Sequence, residues 1–159
     1  MIIDEARLDE GEMLTGLAMS SKRHWGYGED FMERCRSELT VHESDLATHR
    51  AFVARDGDRA LGFYVLIALD DSCAELDMLF VDPSSIGEGV GGALMRHAAG
   101  VARDDGASAL RITADPNAAP FYEHFGATLV GASIAGSTGR SLPVYELALI
   151  QAGESASIT

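Results

Sequence analysis

Residues Glu75 to Gly92 read ELDMLFVDPSSIGEGVGG, and residues Asp115 to Ala127 read DPNAAPFYEHFGA. The first segment predicts a strand, a short loop and a helix that opens on glycines. Gly87, Gly89, Gly91 and Gly92 crowd the start of that helix, so its backbone N–H groups are not covered by side chains. A helix beginning there adds its own unpaired N–H groups and the positive end of its dipole. Together these make a device for holding phosphate. The competing reading is that the glycines only permit close packing of helix on sheet. The second segment puts Tyr122 on a later helix.

Outward from this stretch the sequence predicts a sheet. Ala51 to Arg55 and Ala60 to Leu69 flank Asp56-Gly57-Asp58, a hairpin signal. Asp70-Asp71-Ser72 turns the chain into a strand from Ala74 to Val81. Past the glycines a helix runs to Asp104, with Val90, Leu94, His97, Ala98 and Val101 as its buried stripe and Gly106 as its stop. Ala109 to Ala114 is a strand, and Pro116 starts a helix that reaches Phe125. Thr128 to Ser133 and Pro143 to Leu149 are the last strands, joined by a loop with Gly136, Gly139 and Arg140. Ahead of the hairpin lie a strand from Met1 to Leu8 and a helix from Asp9 to Ser21. A loop through Gly28 and a helix from Glu29 to Leu39 follow. This order predicts an α+β domain over residues 1–150 with about seven strands, not a strict βαβα alternation. The polar tail, residues 151–159, is expected to fray.

The 159 residues fit one domain with a real core, and 47% apolar with 23% charged residues is an ordinary globular composition. A formal net charge of −13 argues against nucleic acid, which needs a basic footprint. It favours a cationic partner in any open cleft, or serves only solubility. Cys35 and Cys73 are isolated, with no zinc-ligand spacing, so no metal and a reduced, cytoplasmic compartment are expected. The N-terminus lacks a signal-peptide pattern. The longest apolar run, Ala60 to Leu69, is too short to span a bilayer, so no membrane partner is expected.

Gly87 to Gly92 formally match G-x-G-x-x-G, and Asp115 lies near the end of the next strand. A dinucleotide-binding fold would use that acid on a ribose, and an S-adenosylmethionine-dependent enzyme could share the pattern. Both fit poorly. In them the glycine turn follows its strand at once, whereas here Asp82 to Ile86 intervene and an antiparallel hairpin precedes.

Residues 50–130 resemble the GNAT superfamily of acetyl-coenzyme A-dependent acyltransferases. The superfamily's phosphate motif, Q/R-x-x-G-x-G/A, falls on Ile86 to Gly91, with Gly89 and Gly91 matching and Ile86 departing from it. Asn117, Phe121, Tyr122 and Gly126 match a second segment, in which an asparagine precedes a Phe-Tyr pair and a glycine follows. The resemblance implies a mixed, mostly antiparallel twisted sheet with flanking helices and a central splay between two parallel strands. It also implies acetyl-coenzyme A as co-substrate, and a small-molecule or peptide amine as acceptor. Backbone groups of Gly87, Gly89, Val90, Gly91 and Gly92 would hold the pyrophosphate, and the main chain of Leu79, Phe80 and Val81 would pair with the pantetheine arm. Asn117 would bind a pantetheine amide or else cap its helix.

Tyr122 is the implied acid for the leaving thiolate, or else a ring packed for its area. Glu75 and Asp77, two apart on a strand and so on one face, are candidate bases, Glu75 first. Their other reading is a pair of exposed strand-end carboxylates. His24, Trp25 and Tyr27 would wall the acceptor site, unless Trp25 packs in the core. Glu88 would weaken phosphate binding unless it points to solvent; Arg96 is either a solvated helix arginine, the favoured reading, or an offsetting charge near an outer phosphate. The absence of a nucleophile pattern predicts direct transfer. A coenzyme A-binding module without catalysis is the alternative. Homodimers pairing through C-terminal strands occur in this superfamily.

Overall fold

The computed structural model describes residues 1–150; the tail expected to fray lies outside the described residues. The chain forms β1 (Ile2–Glu5), α1 (Gly11–Arg23), α2 (Glu29–Leu39), α3 (Glu43–Thr48), β2 (Arg50–Asp56), β3 (Arg59–Ala68) and β4 (Cys73–Val81). It continues with α4 (Val90–Asp104), β5 (Ala109–Thr113), α5 (Ala119–His124), β6 (Thr128–Ile134) and β7 (Ser141–Ala148). All strands among the described residues join one 7-stranded sheet in the order β1-β2-β3-β4-β5-β7-β6. Only β4 and β5 are parallel within it; the other neighbours are antiparallel. This is the α+β class and the mixed, splayed sheet expected from the sequence.

The hairpin between β2 and β3 closes with Asp56 opposite Arg59, and Gly57 takes a φ of 61° in the turn. Along β3 successive side chains go to opposite faces. Tyr64 and Leu66 join Leu76, Leu94, Met95, Ile112 and Tyr122 in a core under α4 and α5. Phe63 and Val65 join Leu14, Met19, Met32 and Met78 in a second core under α1 and α2. The sheet is therefore covered by helices on both faces, as strongly apolar strands require.

Several boundaries differ from expectation. The first strand ends at Glu5, because Leu8–Glu10 form a 3₁₀ turn that leads into α1. The helix foreseen from Pro116 splits into a 3₁₀ turn at Pro116–Ala118 and α5. Pro120 has no N–H to return to residue 116, so an α-helical ladder cannot begin earlier. On α4 the buried residues are Val90, Leu94, Met95, Ala98 and Ala102. His97 and Val101, expected in that stripe, are only half-buried, although His97 Nδ1 lies 2.7 Å from Tyr64 Oη. The short α3 was not foreseen. Asp45 Oδ2 accepts the His42 N–H at 2.8 Å at its start, but six residues are too few for a periodic signal.

At the N-terminal edge Arg55 Nη1 and Nη2 donate to the two carboxylate oxygens of Glu10, each at 2.7 Å, and Arg55 Nε donates to Asp4 at 2.7 Å. This bidentate pair is almost fully buried and ties the segment before α1 to β2.

Candidate active site

The site begins where the sheet opens. Strands β4 and β5 pair only at Cys73–Ala109, Ala74–Leu110 and Glu75–Arg111. Beyond Glu75, β4 stays with β3 as far as Val81, while β5 stays with β7 as far as Thr113. The split coincides with a β-bulge: Leu66 faces Leu76, Val65 faces Met78, and Asp77 is the extra residue. Bulges bend a strand and raise its twist, and they recur beside active sites. A cavity of about 670 Å³ occupies the cleft, within the range of small-molecule sites.

The glycine segment forms one end of the cavity. Asp82 accepts from Ser84 N–H at 2.9 Å and Ser84 Oγ at 2.8 Å, which shapes the turn after β4 and holds its carboxyl below the usual range. Gly87 and Gly89 then adopt φ of 88° and 83°, conformations that glycine takes without a Cβ penalty. A Cβ added at either would meet no protein atom within 4 Å, so the loop presents bare backbone to open space. The first helical bond runs from Ala93 N–H to Gly89 C=O at 3.1 Å. The N–H groups of Gly89, Val90, Gly91 and Gly92 have no backbone partner among the described residues and line or adjoin the cavity. Ile86 also lines it. Glu88 is exposed and is not part of the lining, so the acid sits outside the cradle. The Arg96 guanidinium folds back over Gly92, with Nη1 3.3 Å from where a Gly92 Cβ would stand.

The middle of the cavity carries the titratable groups. Leu79, Phe80 and Val81 line it, on the β4 edge that β5 leaves unpaired. Glu75 and Asp77 line it as well. Burial first, then the Asp77 charge, push the Glu75 carboxyl above its ordinary range against the pull of Arg111. The cavity keeps Asp77 in contact with solvent. The protein packed around it, with the charge of Asp45, still raises its carboxyl. Neither carboxylate has a hydrogen-bond donor among the described residues. Tyr122 is 6% exposed and reaches the cavity lining. Its ring meets Phe121 edge-on, with centroids 5.1 Å apart. Burial alone pushes its hydroxyl well above the usual tyrosine range, so it stays protonated at neutral pH.

The other end is built from the α1–α2 connection, the β5–α5 turn and the β6–β7 loop. Trp25 lines the cavity and is half exposed, so it is not a core residue. His24 is exposed and lies outside the lining. Tyr27 is also outside the lining, and its hydroxyl is spent on Asp115, Asn117 and Arg140. The cap of the turn before α5 is Asp115, which accepts the Asn117 N–H at 2.9 Å; Asn117 lines the cavity and is not the cap. Lys22 Nζ lies 3.1 Å from Asp115 Oδ2. Burial raises the Asp115 carboxyl, but the Asn117 N–H, Lys22 and Tyr27 outweigh it and hold it low. Sequence reading missed this cluster. Its traces were the sole lysine of the chain, Lys22, and an arginine in the last loop; neither pointed to Asp115.

No group of His, Cys, Asp and Glu among the described residues is arranged to hold a metal. No helix among them is long and apolar enough to cross a membrane.

Comparison with known proteins gives the same picture. No curated protein matches the chain. The fold is similar to a GCN5-related N-acetyltransferase from Rhodopseudomonas palustris (TM-score 0.77, 19% identity, covering 93% of this chain and 95% of that one). It is equally similar to the PaiA N-acetyltransferase from Thermoplasma acidophilum in complex with coenzyme A (TM-score 0.77, 18% identity, 92% and 98% covered). An aminoglycoside 6′-N-acetyltransferase complexed with coenzyme A is also similar (TM-score 0.69, 18% identity, 94% and 98% covered). The family model for the acetyltransferase (GNAT) family matches residues 15–127, and the chain belongs to that family.

Proposed function

We propose that the protein transfers an acetyl group from acetyl-coenzyme A directly to the amine of a small-molecule or peptide acceptor, and that the acceptor is cationic. One observation carries the reading. A single cavity joins the unpaired N–H groups at the start of α4 to two carboxylates of raised pKa and a buried, protonated tyrosine. Coenzyme A bound in two similar structures supports the choice of cofactor.

The residues fit this cofactor. The bare backbone of Gly87 and Gly89 and the N–H groups of Val90, Gly91 and Gly92 would hold its pyrophosphate. Exposed Glu88 offers no opposing charge inside the cradle. The free edge at Leu79, Phe80 and Val81 would receive the pantetheine arm, with Asn117 beside it. Bound acetyl-coenzyme A supplies an acetyl group activated as a thioester.

Glu75 takes a proton from the acceptor nitrogen, with Asp77 as the second carboxylate. A raised pKa makes a carboxylate a better base near neutral pH. Tyr122 Oη gives a proton to the departing sulfur. Glu38, Glu75 and Asp77 in the lining attract an ammonium group, whereas Lys22 is held by Asp115.

Calorimetric titration with coenzyme A, followed by thiol release from acetyl-coenzyme A across a panel of amines, tests this. Saturable binding at one site per chain with amine-dependent thiol release is expected. Binding without release for any amine would leave a coenzyme A-binding module. No binding at millimolar coenzyme A would overturn the reading.

A further inference from the structure

Tyr27 Oη stands at the centre of a closed set of hydrogen bonds. It donates to the Asp115 carboxylate, 3.0 Å from each oxygen. It accepts from Asn117 Nδ2 at 2.9 Å and from Arg140 Nη1 at 2.9 Å. Asn117 Nδ2 also donates to Asp115 Oδ1 at 3.0 Å. A carboxylate only accepts, so the nitrogen of the Asn117 amide, not its oxygen, must face Asp115. An amide nitrogen has two hydrogens, and Tyr27 and Asp115 use both. What Asn117 has left for the cavity is its carbonyl oxygen.

We propose that Tyr27 is a positioning residue: its hydroxyl locks the Asn117 amide so that Oδ1, an acceptor, is offered to an amide N–H of the pantetheine arm. This rests on the acetyl-coenzyme A reading above. Without the hydroxyl, Nδ2 keeps only its bond to Asp115, so one hydrogen bond in place of two fixes the amide and Oδ1 is held less firmly. The lock is braced from both sides. Lys22 holds Asp115, and the Arg140 guanidinium packs over the rings of Phe31 and Tyr27, 4.7 and 5.1 Å from their centroids. The α1–α2 connection and the β6–β7 loop, which wall the acceptor end, are thereby tied to a group that grips the cofactor.

The test compares two ligands: coenzyme A, and 3′-phospho-ADP, the same nucleotide without the pantetheine arm. Tyr27→Phe keeps the ring that stacks on Phe31 at 4.3 Å and removes only the hydroxyl. By calorimetry it is expected to weaken coenzyme A about five- to tenfold, the range for one lost hydrogen bond, and to leave 3′-phospho-ADP within about twofold. In an Asn117→Ala background the same substitution is expected to change nothing further. Equal coenzyme A affinity for Tyr27→Phe and wild type would overturn the proposal. So would a parallel loss for both ligands, or an undiminished effect in the Asn117→Ala background, since each would mean that the hydroxyl only braces the fold. No coenzyme A binding by the wild-type chain would instead overturn the acetyl-coenzyme A reading itself.

Discussion

Glu75 and Arg111 form the last residue pair that joins β4 to β5, and the sheet opens immediately beyond them. The carboxylate thus sits at the base of the cleft, with one guanidinium opposing the burial and the Asp77 charge that raise its pKa. In the proposed reaction Glu75 must be ionised, so kcat/KM is expected to fall as pH drops through this raised pKa. Arg111→Met removes the opposing charge and should move that acidic limb to higher pH. Glu75→Gln should lower turnover about 10²- to 10⁴-fold, the usual range for a general base. An acidic limb that persists in Glu75→Gln would transfer the role to Asp77.

The same group has a stability signature. Its folded-state pKa lies above the unfolded value, so the native chain takes up the proton first, and stability grows as pH falls through the folded pKa. Glu75→Gln should therefore raise Tm at neutral pH, and the advantage should vanish in acid. A thermal melt series of both proteins across pH 4 to 8 checks the sign.

Tyr122→Phe should lower kcat by about 10²-fold or more while changing coenzyme A affinity by less than about threefold, because the hydroxyl acts on the proton and the ring on packing. The phenol has no hydrogen-bond partner among the described residues, so its loss strands no buried group and Tm should hold. Unchanged turnover would remove Tyr122 from the chemistry.

At the phosphate loop, Gly89→Ala places a methyl group at a φ of 83°. The strain should cost about 1–2 kcal/mol, and the methyl would stand in the open space beside the loop, with no protein atom within 4 Å; coenzyme A binding is expected to weaken more than stability. Glu88→Gln should leave affinity within about twofold, as its side chain is exposed outside the cavity. Arg96→Met should weaken coenzyme A and flatten the salt dependence of binding, measured by titration from low to high ionic strength.

Glu10→Ala leaves both Arg55 Nη groups without their carboxylate in a nearly fully buried position, with Asp4 still on Nε, and is expected to destabilise the fold by about 2 kcal/mol, read from the urea midpoint at constant slope. The Arg55 hydrogen bond is the main cause of the low Glu10 carboxyl pKa. A depressed carboxylate stabilises above its unfolded pKa, and that contribution is lost as pH falls through the folded value. The penalty for Glu10→Ala should therefore shrink only in strong acid.

Much of the fold was legible because its signals are local. The Asp56-Gly57-Asp58 turn, the apolar run of β3 and the glycines before α4 each depend on neighbours a few residues away. The two family motifs sit on such segments, so the family could be read too. α3 escaped because it is shorter than the period that reveals a helix. The 3₁₀ turn before α5 followed from Pro120, a constraint visible in the chain but weaker than the helix-start signal at Pro116.

The sequence by itself determined most of the elements, the glycine-rich start of α4 and a short set of candidate groups, since backbone preference and side-chain spacing are properties of neighbouring residues. Only the tertiary structure decided which groups act together. The position of β7 between β5 and β6, the bulge at Asp77 and the end of β4–β5 pairing at Glu75 arise from the register of distant strands. They decide that Glu75 and Asp77 face a cavity while Glu88 faces solvent. The set joining Lys22, Tyr27, Asp115, Asn117 and Arg140 draws on three segments far apart in the chain. No local rule reaches across such distances, because a hydrogen bond is made only once the whole sheet has brought donor and acceptor to within about 3 Å.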